Sequence, residues 1–252
     1  MAWVLDLDGV VWLADRPIEG AAGAVAELRR RGEAVAFVTN NSAVPRSEVE
    51  AKLARFGIEP RDGVVTSAMA AATLVEPGET ALLCGGPGIA TELEARGVTV
   101  VRDGDADAVV VGFHRDFDWE RMRIASTAVR RGARLLATND DATYPTPDGP
   151  IPGGGAILAS IVRATGVDPI VAGKPYAPMV ELVRSRLGAN GVAVGDRPDT
   201  DGRFAVALGY RFGLVLSGVT TADDLPVHPP PDVVAADLAQ LVGDALGPGA
   251  PG

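Results

Sequence analysis

Short runs of Val, Leu, Ile and Ala recur between segments of helical periodicity along this whole chain. No other feature constrains its fold as tightly. Residues 2–7, 34–38, 81–84, 108–111, 134–138, 170–172, 192–195, 212–216 and 233–235 read as strands. Residues 21–31, 47–56, 89–96, 119–131, 156–165, 178–187 and 237–246 read as helices, with a further one near Phe204. Gly32 and Gly57 fall where helices should stop, and Ser47 with Glu50 three residues on reads as a capping box. Strands that are apolar throughout, separated by helices, predict an α/β fold with a parallel sheet covered on both faces. In such sheets ligands gather beyond the carboxyl ends of the strands. The residues just after each strand are therefore the candidates for chemistry.

Composition narrows the partners. The 252-residue chain carries a net charge of −10, a field that repels nucleic acid and anionic membranes. A small anionic substrate stays open, because its pocket can be locally positive or hold a cation. Cys84 is the one cysteine, so no intrachain disulfide forms, and a reducing compartment fits. The apolar N-terminus is interrupted by Asp6 and Asp8 and lacks a basic segment, so no signal peptide is expected. No uncharged window reaches the ~18 residues a membrane span needs. A cytoplasmic protein is expected, with a disordered tail over 248–252.

Four strand ends stand out. The first delivers Asp6-Leu7-Asp8-Gly9-Val10, two acids pointing the same way, which repel unless a cation or proton intervenes. Two solvated acids after a strand are the plainer alternative. The second delivers Thr39-Asn40-Asn41-Ser42, a hydroxyl and backbone amides suited to an anion, or an ordinary turn. The third delivers Gly173-Lys174-Pro175. Arg outnumbers Lys 21 to 2, so Lys174 at a strand end suggests a wanted point charge, the alternative being a surface lysine. The other lysine, Lys52, lies in a polar helical stretch. The fourth delivers Asp196-Arg197-Pro198-Asp199-Thr200-Asp201, either hard oxygen ligands for Mg²⁺ or helix caps.

Taken together, in this order, the four segments are specific. Over nearly its whole length the chain resembles the haloacid dehalogenase-like (HAD) superfamily of phosphatases. Within it, the chain is similar to the NagD-type, 4-nitrophenylphosphatase-like subfamily. The resemblance implies a Rossmann-like parallel-sheet core carrying an inserted, smaller α/β cap of the C2A kind. Spacing places that cap. Asp6 to Thr39 is 33 residues and Lys174 to Asp196 is 22, but Thr39 to Lys174 is 135. Core residues 1–77 and 172–247 and cap residues 78–171 follow. Two cap segments look like the subfamily: Val109 to Phe113, and Thr138-Asn139-Asp140-Asp141 running through Pro145 to Gly153-Gly154-Gly155. The latter is either an anion-facing helix start or a structural glycine turn.

Three other signals carry less. Gly86-Pro87-Gly88 is a faint dinucleotide fingerprint with Thr91 at its third glycine position. Gly173-Lys174 is no P-loop, because Pro175 and Asp168 stand at required positions. His114, His228 and Cys84 make no zinc set. His114 reads more readily as a surface histidine than as a substrate contact.

The resemblance also implies a mechanism. Asp6 would be the nucleophile forming an aspartyl-phosphate, and Asp8 the general acid and then base. Mg²⁺ would be held by the Asp6 and Asp196 side chains and the Asp8 backbone carbonyl, with Asp201 acting through water or Lys174. Thr39, the Asn40 amide and Lys174 would bind the phosphoryl group. Cap residues Asn139, Asp141 and Gly154 are the candidates for substrate selection. Asp199 has no implied role, and Gly202 departs from the apolar residue common at that helix start. The expected substrate is glycerol 3-phosphate or another polyol or sugar phosphate. Nucleotides, pyridoxal phosphate, phosphoglycolate and a catalytically idle phosphometabolite sensor are the alternatives, and a homodimer stays open.

Overall fold

The computed structural model describes residues 1–61, 63–144, 146 and 149–247. The expected tail at 248–252 and Pro145 lie outside the described residues. In chain order the strands are β1 (Ala2–Leu5), β2 (Trp12–Leu13), β3 (Arg16–Pro17), β4 (Ala34–Thr39), β5 (Val64–Thr66), β6 (Thr80–Cys84), β7 (Thr99–Val101), β8 (Ala108–Val111), β9 (Arg134–Ala137), β10 (Thr143–Tyr144), β11 (Ile151–Pro152), β12 (Ile170–Val171), β13 (Gly191–Gly195), β14 (Arg211–Val215) and β15 (Val233–Ala235). The helices are α1 (Ala21–Arg30), α2 (Arg46–Arg55), α3 (Ser67–Ala72), α4 (Pro87–Ala95), α5 (Trp119–Arg130), α6 (Gly154–Thr165), α7 (Ala177–Leu187), α8 (Arg203–Leu208) and α9 (Leu238–Leu246).

The chain divides into two compact units. The first comprises Met1–Thr39, Glu50–Val65 and the chain from Val180 onward. Its six-stranded sheet runs β5-β4-β1-β13-β14-β15, with β1 parallel to both β4 and β13. Counted within the sheet this is the order 3-2-1-4-5-6 of a doubly wound Rossmann-like fold. The chain winds one way from β1 through β4, then returns to add β13, β14 and β15 on the other side. The order therefore reverses at β1, and the carboxyl ends of β1, β4 and β13 frame the switch point.

The apolar runs explain the layers. All four residues of β1 are buried, Trp3 and Leu5 completely. Helix α1 buries Ala21, Ala24, Val25 and Leu28, the i, i+3, i+4, i+7 stripe of an amphipathic helix. Burial of a Leu28-sized side chain contributes about 2 kcal/mol. Beyond α1, Gly32 takes φ +77° to turn the chain into β4.

The second unit comprises Asn40–Val49 and Thr66–Met179, and so takes in residues on either side of 78–171. Its five strands run β12-β9-β8-β6-β7, all parallel, the 2-1-3-4-5 order of the other common doubly wound sheet. Leu82, Val109, Val111 and Leu135 pack against Ala125, Val129, Ile157 and Ile161 from α5 and α6. This sheet too has a switch point, between β6 and β8, and residues 42–44 fill it. A Cβ on Gly86 would sit 2.3 Å from the Ala43 carbonyl, and one on Gly88 would sit 2.2 Å from that of Val44. A Cβ on Gly112 would sit 2.9 Å from both the Ser42 and the Thr138 hydroxyls, which are bonded to each other at 2.8 Å. The Gly86-Pro87-Gly88 segment is thus glycine-rich because backbone lies against it.

Most strands and helices fall within two residues of their expected bounds. The capping box at Ser47 does not form: α2 starts at Arg46, so Ser47 lies inside it. Pro45 precedes the helix with its fixed φ, and its carbonyl accepts from the Glu48 amide.

Candidate active site

The first unit gathers three carboxylates at its switch point. Asp6 follows β1, and its amide donates to the Val194 carbonyl at 2.9 Å, which ties the end of β1 to β13. Asp196 follows β13. Asp201 is brought back by a wide π turn over Pro198–Gly202, in which the Asp201 amide donates to the Arg197 carbonyl at 2.7 Å. One carboxylate oxygen from each of Asp6, Asp196 and Asp201 lies within 4.8 Å of the other two. Asp196 and Asp201 are only 2% and 3% exposed, so their charge is poorly screened. Three hard oxygen donors this close, two of them buried, fit a divalent cation such as Mg²⁺. Among the described residues this is the one cluster of that kind, and His114, His228 and Cys84 take no part in it.

Backbone fixes these acids. The Asp196 carboxylate accepts from the Val219 amide at 2.6 Å, and that of Asp201 from the Arg197 amide at 3.2 Å. Glycines make the room. A Cβ on Gly218 would lie 2.0 Å from Asp196 Oδ2, and one on Gly9 2.4 Å from it. Gly9 also takes φ +83°, so it is doubly required. A Cβ on Gly195 would overlap Asp201 at 2.2 Å. Gly202 needs no apolar side chain, because Phe212 and Pro229 already reach within 2.9 Å of where its Cβ would be. Asp199 points outward, 69% exposed, into an ion pair with Arg197.

Asp8 lies in the same unit, where its Oδ1 accepts the indole N–H of Trp12 at 3.0 Å. Thr39 closes β4 and is buried.

The second unit holds the remaining expected residues in one network. Asn40 Nδ2 donates to the Lys174 carbonyl and to Asp141 Oδ2, both at 3.1 Å, while Asn40 Oδ1 accepts the Lys174 amide at 2.8 Å. The Asn40 carbonyl accepts from Ser67 Oγ and from Asn139 Nδ2. Asn139 Oδ1 in turn accepts the Asp141 amide at 3.2 Å. Lys174 is buried. Gly173 must be glycine, since a Cβ there would meet Asn40 Oδ1 at 2.5 Å and the Thr138 carbonyl at 2.4 Å. The Gly153-Gly154-Gly155 run likewise lies against the backbone of Asp140 and Asp141 and against Asn139 Oδ1.

Sequence reasoning missed Trp12, Ser67 and the side-chain role of Asn40. An aromatic four residues after a carboxylate was the available signal for Trp12. His114 is not on the surface: it is 7% exposed, its Nδ1 meets the Gly112 carbonyl at 3.0 Å, and Phe117 packs edge-on against it. Its place just after the buried strand β8, with Phe117 against its ring, buries it. Burial pushes the Cys84 thiol up to about 12, which removes it as a nucleophile.

The chain matches known proteins over nearly its whole length. Residues 3–99 match the haloacid dehalogenase-like hydrolase family, and residues 171–241 match a HAD-hydrolase-like family. The chain is 34% identical to an acid sugar phosphatase of Staphylococcus saprophyticus over 96% of both chains. It is 38% identical to a D-glycerol 3-phosphate phosphatase of Mycobacterium tuberculosis, covering 96% of this chain and 71% of that one. Among solved structures, a p-nitrophenyl phosphatase from Archaeoglobus fulgidus superposes with a TM-score of 0.90 at 32% identity, over 96% of this chain and 98% of that one. The glycerol phosphate phosphatase of Mycobacterium tuberculosis, in complex with magnesium, gives a TM-score of 0.87 at 36% identity, over 95% of this chain and 75% of that one.

The chain belongs to the haloacid dehalogenase-like hydrolase family. Within that family it falls in the NagD-like, 4-nitrophenylphosphatase-like branch, and it is an enzyme of the phosphoric monoester hydrolase class.

Proposed function

We propose that this protein is a Mg²⁺-dependent phosphatase of small phosphomonoesters, glycerol 3-phosphate or a related polyol or sugar phosphate foremost. The observation that carries the reading is the Asp6, Asp196 and Asp201 cluster at the switch point of the first sheet. The glycerol phosphate and acid sugar phosphatases among its relatives favour the substrate class. Residues 1–77 with 172–247 serve as the catalytic core and 78–171 as the cap. Among the described residues no helix is long and apolar enough to cross a membrane.

Asp6, Asp196 and the Asp8 carbonyl would hold the Mg²⁺, with Asp201 supporting them through water or Lys174. The ion, when bound, offsets repulsion between carboxylates and phosphate and polarises the phosphoryl oxygens. Asp6 then attacks phosphorus in line, and its new O–P bond replaces the bond to the leaving oxygen. Asp8 gives its proton to that oxygen, so an alcohol departs. In the second half Asp8, now a carboxylate, takes a proton from water as the water oxygen attacks phosphorus. The Asp6 O–P bond breaks, inorganic phosphate leaves and Asp6 is restored. Thr39, the Asn40 amide and Lys174 hold the phosphoryl oxygens, where Lys174 offsets charge developing in the transition state. Asn139, Asp141 and Gly154 lie in the cap segment that selects the substrate.

The test is phosphate release from a panel of phosphomonoesters with Mg²⁺ and with EDTA, using Asp6→Asn as blank. Release that needs Mg²⁺, vanishes in the blank and favours glycerol 3-phosphate supports the whole reading. A preference for nucleotides, pyridoxal phosphate or phosphoglycolate would replace the substrate. No release from a folded, Mg²⁺-binding protein would favour a phosphometabolite sensor.

A further inference from the structure

We propose that Trp12 is the positioning residue that aims Asp8, and that Lys52 holds Trp12 in place. The inference rests on the reading of Asp8 as acid and base.

Trp12 is 3% exposed and opens the small hairpin of β2 and β3. Two hydrogen bonds close the turn that joins it to Asp8. The indole Nε1 donates to Asp8 Oδ1 at 3.0 Å, and the Gly9 amide donates to the Trp12 carbonyl at 2.7 Å. An indole N–H only donates. Oδ1 is therefore kept as an acceptor whichever charge state Asp8 is in, and the proton that Asp8 passes to the leaving oxygen is confined to Oδ2. The bond thus selects which carboxylate oxygen does the acid–base work.

Lys52 explains how the indole is fixed. Its ammonium stands 4.3 Å from the centre of the Trp12 ring, within cation–π range. Phe56, one helical turn on, packs edge-on against the same ring at 6.0 Å. The ammonium also donates to the Ala14 carbonyl at 2.7 Å. Ala14 has φ +51°, a left-handed turn that a residue with a Cβ takes only when held there. Among the described residues Lys52 forms an ion pair with Asp15, at 3.8 Å and 98% exposed, a pairing too solvated to account for the lysine. In a chain with 21 arginines, the other of its two lysines, Lys52, thus serves the turn that carries Asp8.

The test compares kcat/KM for glycerol 3-phosphate, an alkyl ester that needs an acid, with that for 4-nitrophenyl phosphate, whose leaving group needs little. The change in this ratio between wild type and variant reports how far leaving-group departure depends on the acid, and a parallel change in kcat separates it from binding. Trp12→Phe keeps the ring and loses the donor. It should lose about ten- to hundredfold more on the alkyl ester than on the aryl ester. Lys52→Met should shift the ratio in the same direction by less, and Lys52→Arg, which can still stack, should restore it. Because Lys52 lies on α2, outside the turn, and is partly exposed, its variants serve even if Trp12→Phe folds poorly. Equal losses on both esters, or none, would overturn the proposal and leave Trp12 a packing residue. Asp8→Asn separates the two levels. If it shows the selective loss and the Trp12 and Lys52 variants do not, this inference fails alone. If Asp8→Asn is itself unselective, the reading of Asp8 fails and takes this inference with it.

Discussion

The side chain of Asn40 grips Lys174 by its backbone, accepting its amide at 2.8 Å and donating to its carbonyl at 3.1 Å. One carboxamide thereby joins the segment after β4 to a lysine 134 residues away, and through Asp141 to the cap segment. A buried lysine whose peptide is clamped on both sides is placed by that clamp. Asn40→Ala should therefore lower turnover about ten- to hundredfold without touching the reacting groups. It should add little to the loss already caused by Lys174→Ala, because both act through one group. Steady-state kinetics of the single and double variants checks this, with full additivity as the contrary result.

On the proposed mechanism, Lys174 offsets charge that develops in the transition state. Lys174→Ala should cost on the order of 10²–10³ in kcat, comparable to loss of an oxyanion donor. A loss under about tenfold, measured with saturating substrate and Mg²⁺, would demote it to a packing role.

Gly218 holds open the space that Asp196 Oδ2 fills. Gly218→Ala would place a methyl carbon 2.0 Å from that oxygen and push the carboxylate aside. The Mg²⁺ concentration for half-maximal activity should rise about ten- to hundredfold, as when support for a metal ligand is lost. A Mg²⁺ titration of activity reads it directly.

Cys84 gives a pH prediction. Burial lifts its thiol from 9.0 to about 12. The folded protein therefore keeps the thiol proton over a range where the unfolded chain loses it. The contribution to stability is complete below pH 9 and falls away as pH rises towards 12. Denaturant midpoints should decline across that range, and Cys84→Ala should flatten this part of the decline. A thiol reagent should label Cys84 only as fast as the unit opens.

The sequence made some of this legible and hid the rest for physical reasons. β8 lies where its Val run predicts, because a strand buried at every residue writes its burial as composition. α3 went unread, because Val64 to Ala72 is apolar apart from Thr66 and Ser67 and carries no helical period. The two-residue strands of the β2–β3 and β10–β11 hairpins are too short for any period. Asp196 and Asp201 were readable as acids after a strand. The π turn that draws them together was not, since its wide loop depends on the Arg197 carbonyl accepting from farther along the chain. The Gly153–Gly155 run could be read two ways, and the close backbone of Asp140 and Asp141 accounts for its glycines. Asn40 was read for its amide alone, because no local pattern announces a partner 134 residues on.

The measurement that bears most directly on the account is rapid-quench analysis with 4-nitrophenyl phosphate radiolabelled at phosphorus. Wild-type protein should carry transient, acid-stable label, Asp8→Asn should accumulate it, and Asp6→Asn should carry none and release no phosphate. Phosphate release by Asp6→Asn near the wild-type rate, with no labelled protein in any variant, would contradict attack by Asp6.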